Sequence, residues 1–307
     1  MSYKKSSSLT IFANFFINNE ERLQRMKDSF KSFENINPSE WVINIRGEYK
    51  FEAGDFLENE IGDKLFLSYY NSGYGWFYDS RKIYKNITSQ FVMYWIEDHI
   101  LLAKPEILLE CINEMDQQNV DQLWYSWYVP YVIEPFNEVD IFKEGKYIVT
   151  RKIDELACSK IRALRKNKDI YGDFCIVSAQ SIMKKDFFKK ILFSNKPYIK
   201  RRPRKTPYDF EKISRDNISN VIMHALPKQE LFVSIDDDLH HDGYSLMSRK
   251  LYQNRISRKQ LKILEDPPMK IRTILKKMIP RKMKKMLLFI AGYFYRFFYT
   301  INIFWNK

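Results

Sequence analysis

The sequence predicts an α/β fold, a mixed sheet flanked by helices, on three observations. Runs of aromatic and β-branched residues recur along the chain, segments with helical spacing fall between them, and 307 residues of which 45% are hydrophobic can bury a full core. Alternation of this kind places helices on both faces of a layered sheet. The sequence holds no internal repeat and no low-complexity linker. One domain over residues 1–268, followed by a tail over 269–307, is the economical division.

Taken in order, "LTIFANFFI" (residues 9–17) reads as a buried first strand. "NNEERLQRMKDSFKSF" follows it as a helix, with Leu23, Met26, Phe30 and Phe33 near helical spacing. "EWVINIRG" is a second strand ending at Gly47, "KLFLSYY" a third, and "DSRKIYKNIT" a helix capped by Asp79. "NSGYGWFYDSR" (71–81) has glycines but neither the phosphate-loop Lys-Ser/Thr nor GxGxxG spacing, and reads as a turn. "FVMYWIEDHILL" (91–102) is the next strand. "PEILLECINEMDQQ" is a helix with Pro105 in its first turn, and "DQLWYSWYV" returns to strand character. Residues 134–170 read as polar and irregular. "GDFCIVSAQSIMKKDFFKKIL" is a strand turning into a helix, and "SRDNISNVIMHAL" (214–226) reads as a further helix.

The formal charge of +13 invites a nucleic-acid reading. However, Met269–Lys307 carries ten Lys/Arg and no Asp/Glu, which leaves 41 basic against 38 acidic residues elsewhere. The basicity therefore belongs to the tail, and nucleic acid is not an expected partner of the body. Cys111, Cys158 and Cys175 form no CxxC and no Cys/His zinc spacing, which fits three buried thiols in a reducing compartment. The N-terminal apolar run is too short and mixed for a secretory signal, so residence in the cytoplasm is expected.

Three segments carry chemistry. In an open α/β sheet ligands bind at the carboxyl ends of strands, and Glu97-Asp98-His99 sits at such an end. Two hard carboxylates there suit Mg²⁺ or Mn²⁺ and, through the ion, a diphosphate; a solvated turn is the plainer alternative. "ELFVSIDDDLHHDGYSL" (230–246) again runs a strand into acids, Asp236, Asp237 and Asp238, and then His240 and His241. Three adjacent carboxylates repel one another, so they call for solvent, a cation or a basic partner. In "KRRPRKTPYDFEKISRDN" (200–217), Asp209 and Glu211 follow a Pro-fixed turn ahead of a helix. They are candidates for a general base or, alternatively, for acids favoured by the helix dipole. The basic run before them is either a solvated loop or a contact for an anionic acceptor or lipid headgroups.

The order of these features resembles the GT-A glycosyltransferases, in particular family-2-like bacterial enzymes that build surface polysaccharides, over about residues 8–246. The resemblance implies a GT-A-like fold in which the first strand and helix bind the nucleotide, with Asn14, Arg46 and Arg81 as candidate nucleotide contacts; Arg46 and Arg81 read equally well as surface charges. Glu97 and Asp98 would stand in the position of the DxD-type motif that holds a divalent metal (Mn²⁺ or Mg²⁺) and the sugar-nucleotide diphosphate. "TPYDFEK" would supply the base, Asp209 or Glu211, and His240 or His241 would help close the site at the metal and diphosphate. Glu97-Asp98-His99 is not a strict DxD and "YDFE" lacks an adjacent Glu-Asp pair. The implied reaction moves a sugar, with inversion, from a nucleotide-sugar donor to a hydroxyl of a saccharide or lipid-linked acceptor. Trp76, Trp124 and Trp127 could stack on sugar or base faces, though their strand-like setting favours the core. Two readings compete: a metal-dependent phosphoesterase using Asp236–Asp238, and a non-catalytic peripheral membrane scaffold.

In the tail, most of the basic residues precede Met286, and an apolar, aromatic stretch from Met286 to Trp305 follows. As helix that stretch would be about 30 Å long, but a central Arg296 costs about 2.5–3.5 kcal/mol in a bilayer. A basic helix and an aromatic one lying in the interface satisfy both facts, and place the protein peripherally on the cytoplasmic face of the plasma membrane. A helical hairpin packed on the body is the alternative.

Overall fold

Leu9–Phe16 forms β1, with seven of its eight residues buried, as a strand covered on both faces must be. The computed structural model describes residues 8–126, 136–167, 179–194, 219–235, 245–247 and 249–252. After β1 come α1 (Glu20–Phe33), β2 (Glu40–Arg46), α2 (Lys50–Ile61), β3 (Leu65–Ser68), α3 (Trp76–Ile83), β4 (Phe91–Tyr94), β5 (His99–Leu101), α4 (Pro105–Gln117) and β6 (Gln122–Trp124). The chain continues with β7 (Ile141–Glu144), β8 (Ile148–Ile153), α5 (Glu155–Asn167), β9 (Ser181–Lys184), α6 (Lys185–Leu192), β10 (Ile222–Pro227) and β11 (Phe232–Ser234). The fold is the mixed α/β sheet flanked by helices that the sequence predicts; the tail lies outside the described residues. Among the described residues no helix is long and apolar enough to cross a membrane.

Nine strands pair in the order β3-β2-β1-β4-β9-β6-β10-β8-β7, and β11 pairs with β5 in a small second sheet. β3, β2, β1 and β4 are mutually parallel. β9 runs against both β4 and β6, and β8 against both β10 and β7. Strand alternation then divides the core into two layers. Phe12, Val42 and Tyr94 face Trp76 of α3, Cys158 of α5 and Phe188 of α6. Ile11, Ala13, Ile43 and Trp95 face Met26 and Phe30 of α1, Leu57 of α2 and Leu108 of α4. The second layer is strongly aromatic: Trp95 meets Phe15, Phe33 and Trp41 edge-on, with ring centroids 4.7, 5.2 and 5.8 Å away.

Several sequence expectations need correction. The segment expected to be helical at 214–226 contains β10, whose ladders to β6 and β8 give the backbone partners on both sides; a short apolar run does not distinguish the two states by period. The region expected to be irregular holds the β7–β8 hairpin and α5. The Glu114 carboxylate accepts the backbone N–H groups of Lys146, Tyr147 and Ile148 and so fixes the hairpin's turn. The helix expected from Asp79 begins at Trp76, with Gly75 (φ 95°) as its cap, so Asp79 lies inside it. α2 has no side-chain cap to announce it, and its interior Gly54 leaves room for Tyr69, whose hydroxyl would lie 1.9 Å from an added Cβ. Pro105 does stand at the first turn of α4, and Cys111 and Cys158 are buried. Cys175 and Trp127 lie outside the described residues.

Candidate active site

β1 leads through α1 to β2 on one side, whereas β3 leads through α3 to β4 on the other side of β1. The direction of winding reverses between β1 and β4, and the crevice beyond their carboxyl ends is where such sheets bind ligands. Asn14, Arg46, Glu97 and Asp98 come to that edge from β1, β2 and the turn after β4.

Asn14 and Asn44 are register partners in otherwise apolar strands, and both are buried. Asn14 Oδ1 accepts from Asn44 Nδ2 (2.9 Å) and from Arg46 Nε (3.1 Å). Its Nδ2 donates to Trp76 O (3.0 Å) and Ser80 Oγ (2.8 Å). These four bonds use the full capacity of the amide. Asn14 therefore ties β1, β2 and α3 together and holds Arg46, and it has no hydrogen bond left for a ligand. Asn44 Oδ1 in turn receives the Tyr70 N–H (2.7 Å) and the Ser68 hydroxyl (2.9 Å), which fixes the chain as it leaves β3. Neither Asn44 nor Ser80 is among the residues the sequence reading picks out. The available signal was a polar residue at matching places in two apolar strands.

Arg46 ends β2 at 7% exposure, its guanidinium over the Phe16 ring at 5.8 Å. Only Nε is engaged: among the described residues the terminal amino groups have no hydrogen-bond or ion-pair partner. Burial lowers its pKa from the ordinary arginine value, while the charges of Asp79 and Glu97 act in the opposite direction and favour the cation. Gly47 makes this placement possible. It has φ 106°, and a Cβ there would stand 2.1 Å from Ile17 O, because the backbones of β1 and β2 close on each other through Ile17 N–H to Arg46 O (2.7 Å). Asp79 is fully buried in α3; Oδ1 accepts the Ser72 N–H (3.2 Å) and Oδ2 has no partner among the described residues. Its negative charge acts on Arg46 from beneath the 71–75 turn.

Glu97-Asp98-His99 is the corner at which the chain leaves the large sheet for the small one. Glu97 Oε1 lies 3.6 Å from Arg22 Nη1, and Asp98 Oδ1 lies 2.8 Å from His99 Nδ1. Burial raises the Glu97 carboxyl, as does the charge of Asp98, against the pull of Arg22 and Arg25. Burial pushes Asp98 the same way, but His99's charge and hydrogen bond outweigh it and hold Asp98 below the ordinary value. His99 is buried on β5, where the Ser29 hydroxyl donates to its carbonyl, and among the described residues its Nε2 has no partner. Arg22, on the first turn of α1, also bonds Phe16 O at 3.1 Å, which makes it a second cation at this crevice that the sequence does not advertise.

Arg81 is not brought to this group: its Nε donates to Leu192 O (2.6 Å) and it stacks over Phe193. Trp76 is fully buried, with its indole N–H on Asn14 O (3.0 Å), and Trp124 is 3% exposed, so both serve the core. Asp209, Glu211, Asp236–Asp238, His240 and His241 lie outside the described residues. The strand leading to the acidic run is described: Ile235 N–H donates to Asp98 O (2.7 Å), so the residue preceding Asp236 is bonded to the Glu97-Asp98 turn. The oxygen donors of Glu97 and Asp98 suit Mg²⁺ or Mn²⁺, with one Asp98 oxygen already taken by His99. Among the described residues no group of three His, Cys, Asp or Glu side chains could hold a metal.

No protein-family model matches the chain, and no curated protein matches it in sequence. Among solved structures it is similar to S. aureus TarS 1-349, at 13% identity and TM-score 0.46, over 73% of this chain and 59% of that one. S. aureus TarS gives 12% and 0.47 over 73% and 36%, and TarS 1-349 in complex with UDP gives 12% and 0.43 over 85% and 76%. The chain spans less than two thirds of the length of the first two. Likeness at this level, with every TM-score under 0.5, carries no argument about the chemistry of this chain.

Proposed function

We propose that this protein is a glycosyltransferase that moves a sugar from a nucleotide-sugar donor to a hydroxyl of a saccharide or lipid-linked acceptor in cell-surface polysaccharide synthesis. The observation that carries this reading is Arg46: a nearly buried cation, held by Asn14 through Nε, whose outer donors have no partner among the described residues at the switch-point crevice. A fixed guanidinium of this kind is suited to a diphosphate, which it can grip with two parallel bonds.

The carboxylates of the Glu97-Asp98 turn stand at the same edge. They would hold a divalent ion, which supplies positive charge to the departing diphosphate. The acceptor hydroxyl attacks the anomeric carbon from the face opposite the diphosphate, its proton passes to Asp209 or Glu211, and the configuration inverts. The bond from Ile235 to Asp98 supports a role for the 236–241 segment at this turn, with His240 or His241 on the metal-diphosphate. The basic, aromatic tail at 269–307 would bring the enzyme to the cytoplasmic face of the plasma membrane, where a lipid-linked acceptor is presented.

The test is release of nucleoside diphosphate from a panel of UDP-, GDP- and CMP-sugars (CMP from the last) with Mn²⁺ or Mg²⁺ and membrane lipid extract as acceptor. The expected outcome is turnover with one donor class, lost in Asp209→Asn or in Glu211→Gln. No turnover of any donor by folded protein contradicts the reading.

A further inference from the structure

β7 closes one edge of the nine-stranded sheet, and all four of its residues are exposed. Ile141 is 52% and Phe142 61% exposed, and Leu156, on the first turn of the neighbouring α5, is 70% exposed. A register shift between Ile141 and Lys143 marks a bulge at Phe142, a device that re-aims side chains at sheet edges. Between β7 and α5 runs a groove of about 220 Å³, with Ile141, Phe142 and Leu156 on its apolar wall and Asp140, Lys152 and Lys160 among its charges. Isolated exposed apolar residues need no explanation, but three that flank one groove on an unpaired edge mark a contact surface.

The charges decide what would cover it. Asp140 and Asp154 balance Lys152 and Lys160 in the groove, so the surface has no excess to attract an anionic membrane or a polyacid. Instead, Asp140-Ile141-Phe142-Lys143 is complementary to itself when reversed. Laid antiparallel to an identical strand, Asp140 stands opposite Lys143, Ile141 opposite Phe142, and the reverse. Neither Asp140 nor Lys143 has an ion-pair partner among the described residues, so both charges are available. We propose that β7 and the adjoining groove form a twofold contact with a second copy of this chain, the axis passing between Ile141 and Phe142. Such an isologous contact buries the same apolar pair twice and sets opposite charges across the seam in one register. The bulge keeps the ladder short, so the side chains carry the contact.

The test is sedimentation velocity of the full chain in a non-ionic detergent over a range of concentrations, with melting temperature as the folding control. Wild type is expected to dimerise reversibly and Phe142→Glu to remain monomeric with its melting temperature unchanged. Asp140→Lys and Lys143→Asp each place like charges opposite one another and should self-associate at least about tenfold more weakly. An equimolar mixture of these two variants restores both opposite-charge pairs and should recover the association. Wild type that stays monomeric overturns the proposal, as does a dimer untouched by Phe142→Glu or a mixture no tighter than either variant alone.

Discussion

The two halves of the large sheet differ in how far their buried polar groups are joined. In the parallel half, β3-β2-β1-β4, Asn14, Asn44, Arg46 and Ser80 form one hydrogen-bonded group at the carboxyl edge, and the outer donors of Arg46 have no partner among the described residues. In the mixed half, buried pairs such as Gln122 with Ser181 and Thr150 with Gln118 are bonded, but they stand apart from one another, and further buried polar groups have no partner among the described residues. His224 on β10 is 1% exposed, stacked on Phe136 (4.8 Å) and edge-on to Trp124 (4.9 Å), and among the described residues neither its ring nitrogens nor the Trp124 indole N–H has a partner. A complete network positions a charge for use, whereas isolated groups only cost the fold their lost hydration. The switch point therefore carries the joined polar group that makes it the candidate site, and the mixed half ends in the exposed β7 edge.

The contrast can be broken at one residue in each half, and the larger effect belongs to the parallel half. Gly47→Ala forces a side chain into φ 106° and against Ile17 O at 2.1 Å, so β1 and β2 must part where Arg46 is anchored. The expected loss is about 3 kcal/mol in urea unfolding. An alanine variant as stable as wild type would mean that the two strand ends are not clamped.

In the mixed half the expected effect is a slope with pH. Burial, with the charge of Arg151 added, pulls His224 from 6.5 down to about 3. The unfolded chain then binds the proton more readily than the folded one. The contribution of the neutral ring is whole above pH 6.5 and drains away as pH falls from 6.5 toward 3, at up to about 1.4 kcal/mol per unit. Unfolding free energies from urea titrations at pH 7 and pH 4.5 should differ by about 2–3 kcal/mol more in wild type than in His224→Phe. Equal differences would show that His224 is solvated or partnered.

Legibility in the sequence follows the same division. Central parallel strands are apolar on both faces and long enough to read, so β1, β2 and the first helix stood out, as did the short apolar edge strand β3 and Pro105 at the start of α4. β10 and the β7–β8 hairpin did not, because β7 is exposed throughout and β10 owes its state to neighbours remote in the chain. In the site, Glu97, Asp98 and Arg46 were legible as charges at strand ends. Arg81 looked equivalent, yet it turns to Leu192, since which way a helix residue points depends on packing partners that the local pattern does not contain. Asn44 was overlooked because its role exists only in register with Asn14.

The central claim, that the free donors of Arg46 grip a nucleotide diphosphate at the switch point, is tested most directly by calorimetric titration of UDP, GDP and CMP into wild type and Arg46→Ala, with Arg81→Ala alongside. One nucleoside diphosphate is expected to bind wild type and Arg81→Ala alike and Arg46→Ala at least about 30-fold more weakly, the loss of a charge-assisted pair. Unchanged affinity in Arg46→Ala, or no nucleotide binding by the folded wild-type protein, would contradict the claim.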